Sequence, residues 1–253
     1  MSNSLLVKEQ NACCYLSLNR YQKKNALDLN LINELIKQLD RVIENQFRVL
    51  VITGMGEMFC AGADLQEMAK MASVDASENY TQAMQLALLL DKLDNLPVFT
   101  IARVNGSSFG GGLGLLCCCD MVIADSSAYF SFSELKLGLV PATIMPYVLK
   151  TISLRQARRY ILNTELFDAQ QALQIGLVHQ VVESDNLDHL VDKQLNLISK
   201  TKPQAFALAK QLMLKNDQLT EQQIRVSAHQ LAKIRTQDEA IKGINAFINK
   251  TND

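Results

Sequence analysis

Apolar runs bounded by turn residues recur along the chain. Residues 12–18 (ACCYLSL) mix apolar and small residues as a strand does, and NRYQKKNALD then supplies a turn before an amphipathic stretch with helical period from Leu29 to Glu44. RVLVITG (48–54) is a continuous apolar run ending in glycine, the pattern of a strand buried on both faces, and GMGEMFCAGAD follows it as a loop. Helical spacing returns from Leu65 to Met71 and again over Tyr80–Leu93, where Asn95-Leu96-Pro97 stops it. Next come a strand over 98–104 (VFTIARV), the loop NGSSFGGG, and a helix that begins within the glycines and carries LGLLCCC. MVIAD (121–125), YFSF (129–132) and LVHQVV (177–182) read as short strands, with a helix at Leu154–Asn163 among them. This alternation predicts an α/β protein with mostly parallel strands. Beyond Asn186 strands vanish, and helices are predicted near 187–200, 203–215 and 219–235, with Pro203 suited to a first turn. The chain thus divides into a core over 1–195 and a helical region over 196–253.

Composition narrows the class. With 253 residues, 48% hydrophobic and 20% charged, the chain can bury a substantial core without staples. Its 25 basic and 26 acidic side chains leave a net charge of −1, so no global field is available to hold a nucleic acid or an anionic membrane. No run approaches the length of a membrane span, and MSNSLLVKEQ lacks a basic leader followed by an apolar stretch. Cys13, Cys14, Cys60 and Cys117–Cys119 are crowded as neighbours, a poor geometry for disulfides, which predicts reduced thiols and a cytoplasmic compartment. The three histidines, at 179, 189 and 229, have no ligand spacing with these cysteines, so no metal site is expected.

The candidate chemistry lies in glycine-rich loops. RVLVITGMGEMF imitates a dinucleotide-binding start, but Phe59 stands where the third glycine of that motif belongs. Neither a phosphate-binding G-x-x-x-x-G-K-[ST] nor a G-x-S-x-G elbow occurs. What remains is Cys60-Ala61-Gly62-Ala63-Asp64 and Gly106-Ser107-Ser108-Phe109-Gly110-Gly111-Gly112, each after a buried strand and before a helix. Either loop could be a tight turn in which glycine supplies positive φ, or could aim backbone N–H groups outward. Two such donors converging on one oxygen make an oxyanion hole.

Taken in order, FCAGADLQEM (59–68), VNGSSFGGGLGL (104–115), CDMVIADSSAYFSFSELKLGLVP (119–141) and QIGLVHQVV (174–182) resemble the enoyl-CoA hydratase/isomerase, or crotonase, superfamily. The opening LNRYQKKNALD (18–28) and the closing DEAIKGINAFINK (238–250) extend the resemblance over nearly the whole chain. It implies a crotonase-like spiral of ββα units, a C-terminal helical trimerisation region, assembly as a homo-trimer or homo-hexamer, and an acyl-CoA thioester as substrate, with no further cofactor. By the same resemblance the N–H groups of Ala63 and Gly111 would hold the thioester oxygen. The CoA adenine would lie by Lys24, Asn25, Ala26 and Ala61, with Asp64, Leu65 and Gly110 along the acyl-CoA path.

One position departs from the family pattern. Hydratases of this kind carry two glutamates twenty residues apart; Glu134 matches the second, but Gly114 stands at the first. A single carboxylate also suits the family's isomerases, which move a proton between carbons, and a non-catalytic acyl-CoA-binding relative is the third alternative. LGLVPATIMPYV (137–148) replaces the family's usual glycines with Ala142, Thr143, Ile144 and Met145. With GGGLGL it is similar to bacterial members of the 3-methylglutaconyl-CoA hydratase type, which act in leucine or isoprenoid breakdown. The expectation is a hydratase whose missing carboxylate at 114 makes room for a branched or carboxylated acyl end. Met55, Met58, Met68, Met71 and Met84 could line an acyl pocket or fill the core.

Overall fold

The computed structural model describes residues 3–71, 74–215 and 220–250. It opens with a hairpin: Leu5–Gln10 (β1) pairs antiparallel with Cys13–Leu18 (β2), and the two turn residues, Asn11 and Ala12, both take positive φ. That is the geometry of a two-residue turn matched to strand twist. Only Leu5 of β1 is buried, so this edge strand has no apolar periodicity to announce it. Asp28 caps the helix Leu29–Glu44 (α1) by accepting from the Leu31 N–H, and α1 buries Leu31, Leu35, Leu39 and Val42 along one stripe.

The crossover returns the chain to Val49–Gly54 (β3), parallel to β2, and the same sheet then adds Phe99–Val104 (β5), Met121–Asp125 (β7) and Gln180–Val182 (β10). Alternation within β3 explains its burial. Leu50 and Ile52 face a large cluster shared with α1, while Val49 and Val51 join Ile101, Ile123, Leu187 and Val191 on the opposite side. Leu187 and Val191 come from Leu187–Ser199 (α8), so the expected boundary at residue 195 falls within a helix that covers the sheet.

Each of three sheet strands leads directly into a short second one: Met58–Cys60 (β4), Ser107–Phe109 (β6) and Tyr129–Ser131 (β8). These line up in parallel as a second sheet, to which Phe167–Asp168 (β9) adds antiparallel beside β8. A strand to each sheet followed by helix is the repeat that produces the ββα spiral. The loops expected at 58–60 and 107–109 are therefore strands, three residues each and too short for a period to show. The helices Leu65–Met71 (α2), Ala76–Asp94 (α3) and Gly111–Cys117 (α4) follow β4 and β6. Met145–Thr151 (α5), Leu154–Asn163 (α6) and Ala169–Gln174 (α7) follow β8.

Three further helices form the C-terminal region. Pro203–Lys215 (α9) is pinned by Lys210, a buried side chain that pairs with Asp120 at 2.6 Å and donates to the Val98 carbonyl at 2.9 Å. Glu221–Arg235 (α10) starts on a Thr220 capping box; residue 219 of the expected helix lies outside the described residues. Its Ala228, Leu231 and Ala232 pack on Ala83 and Ala87 of α3. Asp238–Lys250 (α11) sets Ala240 and Ile244 against Met68 and Leu139. The six cysteines are free thiols, and burial pushes each thiol up. Among the described residues no helix is long and apolar enough to cross a membrane.

Candidate active site

Residues 24–27 run alongside 61–64. Ala61 N–H donates to the Lys24 carbonyl at 2.9 Å, Leu27 N–H to Gly62 at 2.7 Å, and Asp64 N–H to Leu27 at 2.9 Å. These bonds use the Ala61 and Asp64 N–H groups and the Gly62 carbonyl, and leave the Ala63 N–H without an acceptor among the described residues. Gly62 has φ +91, and a Cβ there would stand 2.9 Å from the Phe109 carbonyl and 3.4 Å from the Gly111 nitrogen, so only glycine lets the two loops meet. Gly111 opens α4, where the first N–H groups have no partner inside the helix. A Cβ on Gly111 would lie 3.9 Å from the Ala63 nitrogen. The structure thus brings together the two backbone donors expected from the sequence.

Glu134 begins the 3-10 turn Glu134–Leu137 that follows β8. Gly110 has φ +50, and its missing Cβ would come within 3.2 Å of Glu134 Oε1, so the carboxyl lies against the residue preceding Gly111. Its Oε2 is buried with no hydrogen-bond partner among the described residues. Loss of hydration, opposed only by a backbone N–H of its own residue, pushes the carboxyl up to about 7. Near neutral pH such a group exchanges a proton readily, as a general acid or base must. Two unpaired N–H groups beside a proton-exchanging carboxyl can stabilise a developing oxyanion while moving a proton at a neighbouring atom.

Other expected site residues hold the loops in shape. The buried Asn25 side chain accepts from Arg20 N–H at 3.0 Å and donates to the carbonyls of Met55 and Met58 at 2.9 and 2.8 Å. Asp64 pairs with Arg20 at 2.9 Å and accepts from Gln66 N–H at 3.0 Å; these donors outweigh burial and hold its carboxyl below the ordinary range. Both side chains are committed inside the protein. Ala26 is buried, Ala61 and Leu65 are half-buried, and Lys24 is exposed at the loop surface.

At Gly114 the expectation of open space is corrected. A Cβ there would stand 2.5 Å from Ile144 Cγ2 and 3.3 Å from Leu90 Cδ2. The volume of the missing carboxylate is filled by the buried Ile144, because the segment that carries it turns back onto α4.

A narrow cavity of about 20 Å³, room for roughly one water, opens beside Ala63 and Gly111. Met68 lines it; Met55, Met58, Met71 and Met84 do not. The sequence analysis missed its polar lining of Glu67, Gln82 and Arg235. Glu67 accepts from Leu29 N–H at 2.9 Å, and burial raises its carboxyl. Arg235 donates from Nη1 to Gln82 Oε1 at 3.1 Å and to Asn79 Oδ1 at 3.4 Å, and burial lowers its guanidinium to about 10. A sequence signal exists: Asn79 and Gln82 interrupt the stripe Ala83, Leu86, Ala87, Leu90, and Arg235 continues Ala228, Leu231, Ala232.

Comparison with known proteins shows the family. A family model described as enoyl-CoA hydratase/isomerase matches residues 8–253. The chain is 32% identical to the 2,3-dehydroadipyl-CoA hydratase of Escherichia coli strain K12, over 98% of this chain and 96% of that protein. It is 34% identical to the mitochondrial methylglutaconyl-CoA hydratase of Mus musculus, over 79% of this chain and 64% of that protein. The crystal structure of an enoyl-CoA hydratase from Shewanella pealeana superposes with a TM-score of 0.81 at 37% identity, covering 98% of this chain and 94% of that one.

Proposed function

The chain belongs to the enoyl-CoA hydratase/isomerase family, and from that membership we propose that it adds water across the C2–C3 double bond of a 2-enoyl-CoA. The observation that carries this reading is the meeting of the unpaired Ala63 and Gly111 N–H groups with the buried Glu134 carboxyl beside Gly110. The thioester oxygen accepts from both N–H groups. Glu134, as carboxylate, takes a proton from water while the water oxygen bonds to C3, and the C2=C3 electron pair moves into the thioester as an enolate. Glu134 then returns the proton to C2. One water is consumed and the carboxylate is regenerated. Rigid, neutral backbone donors suit the enolate because they need no reorganisation as charge develops.

The two hydratase relatives are both named for acyl groups that end in a carboxylate. A 3-methylglutaconyl thioester is the substrate we favour. The backbone of Lys24, Asn25 and Ala26, paired to Ala61, offers an edge for the CoA adenine. The CoA is carried by the substrate, and no other cofactor enters the scheme. We also place the chain in a trimer or hexamer through its C-terminal helices.

A second reading has one observation in its favour: Ile144 fills the position of the first hydratase glutamate, leaving a single carboxylate as an isomerase needs. In that case Glu134 takes a proton from one carbon and returns it to another, with no water consumed. Mass spectrometry of the thioester product decides. A gain of one water is expected; a shifted double bond at constant mass would establish the isomerase, and an unchanged ligand would remove catalysis altogether.

A further inference from the structure

We propose that Arg235, held by Gln82 and Asn79, receives a carboxylate at the far end of the acyl group, an inference that rests on the acyl-CoA reading of the cavity. Arg235 is the last residue of α10 and only 5% exposed, yet it lines the same cavity as Ala63 and Gly111. A buried guanidinium ordinarily meets an anion. Here its two hydrogen-bond acceptors are neutral amide oxygens, and the Asn79 amide is itself oriented by donating to the Ala232 carbonyl at 2.7 Å. The Nε is buried without a partner among the described residues, and none of their carboxylates lies within ion-pair distance. Two carboxylates share the cavity: Asp64 is paired with Arg20, and Glu67, which favours the charged guanidinium from beyond ion-pair distance, is turned to the Leu29 N–H. The guanidinium is therefore aimed but holds no direct ion pair among the described residues.

Leu29, Ile32, Met68 and Leu86 supply apolar walls to the same cavity. Such walls suit the carbons between a thioester and a terminal carboxylate, and the planar donor fork of arginine suits the carboxylate itself. The cavity is close to the size of one water, which a carboxylate oxygen can replace, and room for the carbons that precede it requires the lining to yield, Met68 being its most adaptable side chain. A purely structural tie between α10 and α3 would need the two amide contacts and would have no use for a buried unpaired Nε.

Calorimetry with two unreactive thioesters tests this. Glutaryl-CoA ends in a carboxylate where pentanoyl-CoA ends in a methyl group. The wild-type chain is expected to bind glutaryl-CoA at least ~10-fold more tightly, and Arg235→Gln should bring the ratio to within about twofold of one. If Arg235→Gln does not fold, Arg235→Lys, which keeps charge but loses the fork, should lower the ratio at least ~3-fold. A wild-type ratio of one or below overturns the proposal whatever the variants do. So does a ratio preserved in the variants, which would assign Arg235 to packing alone. Neither thioester has a double bond, so the measurement is independent of hydration. Preference for glutaryl-CoA without water addition to any 2-enoyl-CoA would remove the hydratase and keep the receptor; hydration of crotonyl-CoA with a ratio of one would do the reverse.

Discussion

Glu134 couples activity to stability through one proton. Addition of water needs its carboxylate, so kcat/KM should rise with pH through about 7 and then level, and Glu134→Gln should lower turnover by at least ~10²-fold. A Gln variant with wild-type turnover would exclude it as the proton carrier. In the folded chain the carboxyl titrates near 7 against an ordinary 4.5, so the protonated form is favoured by folding. Its contribution to stability is present below about 4.5 and is lost as pH rises through about 7. Denaturant melts should therefore show Glu134→Gln gaining on the wild type between pH 4.5 and 8, by up to about 3 kcal/mol. At Gly114 the controlling fact is contact rather than charge. Gly114→Ala should destabilise by about 1–3 kcal/mol through overlap with Ile144, and Ile144→Ala should relieve that overlap in a double-mutant cycle. Additive losses would show that Ile144 does not occupy this space.

Arg20 joins the starts of two helices. It pairs with Asp28, the cap of α1, at 2.8 Å and with Asp64, ahead of α2, at 2.9 Å. Through these bonds the loop carrying Ala63 is tied to the segment 24–27. Arg20→Met would leave the two carboxylates facing each other without a counterion, and thermal or urea melts should register a loss of about 3 kcal/mol at neutral pH. Asp64 titrates below its ordinary 3.8, so its contribution is present above that value and is lost as pH falls through the folded value. The deficit of Arg20→Met should accordingly shrink in acid; a deficit that stays constant to pH 3 would place the loss in packing instead. At this same scale α11 lies over Met68 of α2 and Leu139 beyond the Glu134 turn. The closing motif of the chain thus buttresses the site as well as ending the helical region.

Across the whole molecule, α9 leaves an apolar stripe exposed. Leu208, Leu212 and Met213 are 55%, 56% and 70% exposed, on a helix anchored from its other side by Lys210. A contiguous apolar face of this kind fits burial between copies of the chain. Sedimentation should show a trimer or hexamer, and the pair Leu208→Glu with Leu212→Glu should shift it toward monomer. A wild-type chain that is monomeric and active would remove the trimerisation role of the C-terminal helices.

The strands β3, β5 and β7, the helices α1 and α3, and the two small-residue loops were legible in the sequence because their signals are local: continuous apolar runs, a helical stripe, glycines next to buried strands. Ala63, Gly111 and Glu134 were singled out by the resemblance of their motifs to the family rather than by a local signal, and the fold brings these three residues close together. Tertiary contact decided the rest. β1, β4 and β6 are too short or too exposed to show a period, and they exist because a neighbouring strand supplies their hydrogen bonds. The roles of Asn25 and Asp64 depend on Met55, Met58 and Arg20, and the space at Gly114 on Ile144, thirty residues away. Arg235 meets Gln82 across 153 residues of chain. No local pattern names such a partner; packing of α10 on α3 does, because a guanidinium enclosed by that contact must find acceptors wherever the fold brings them.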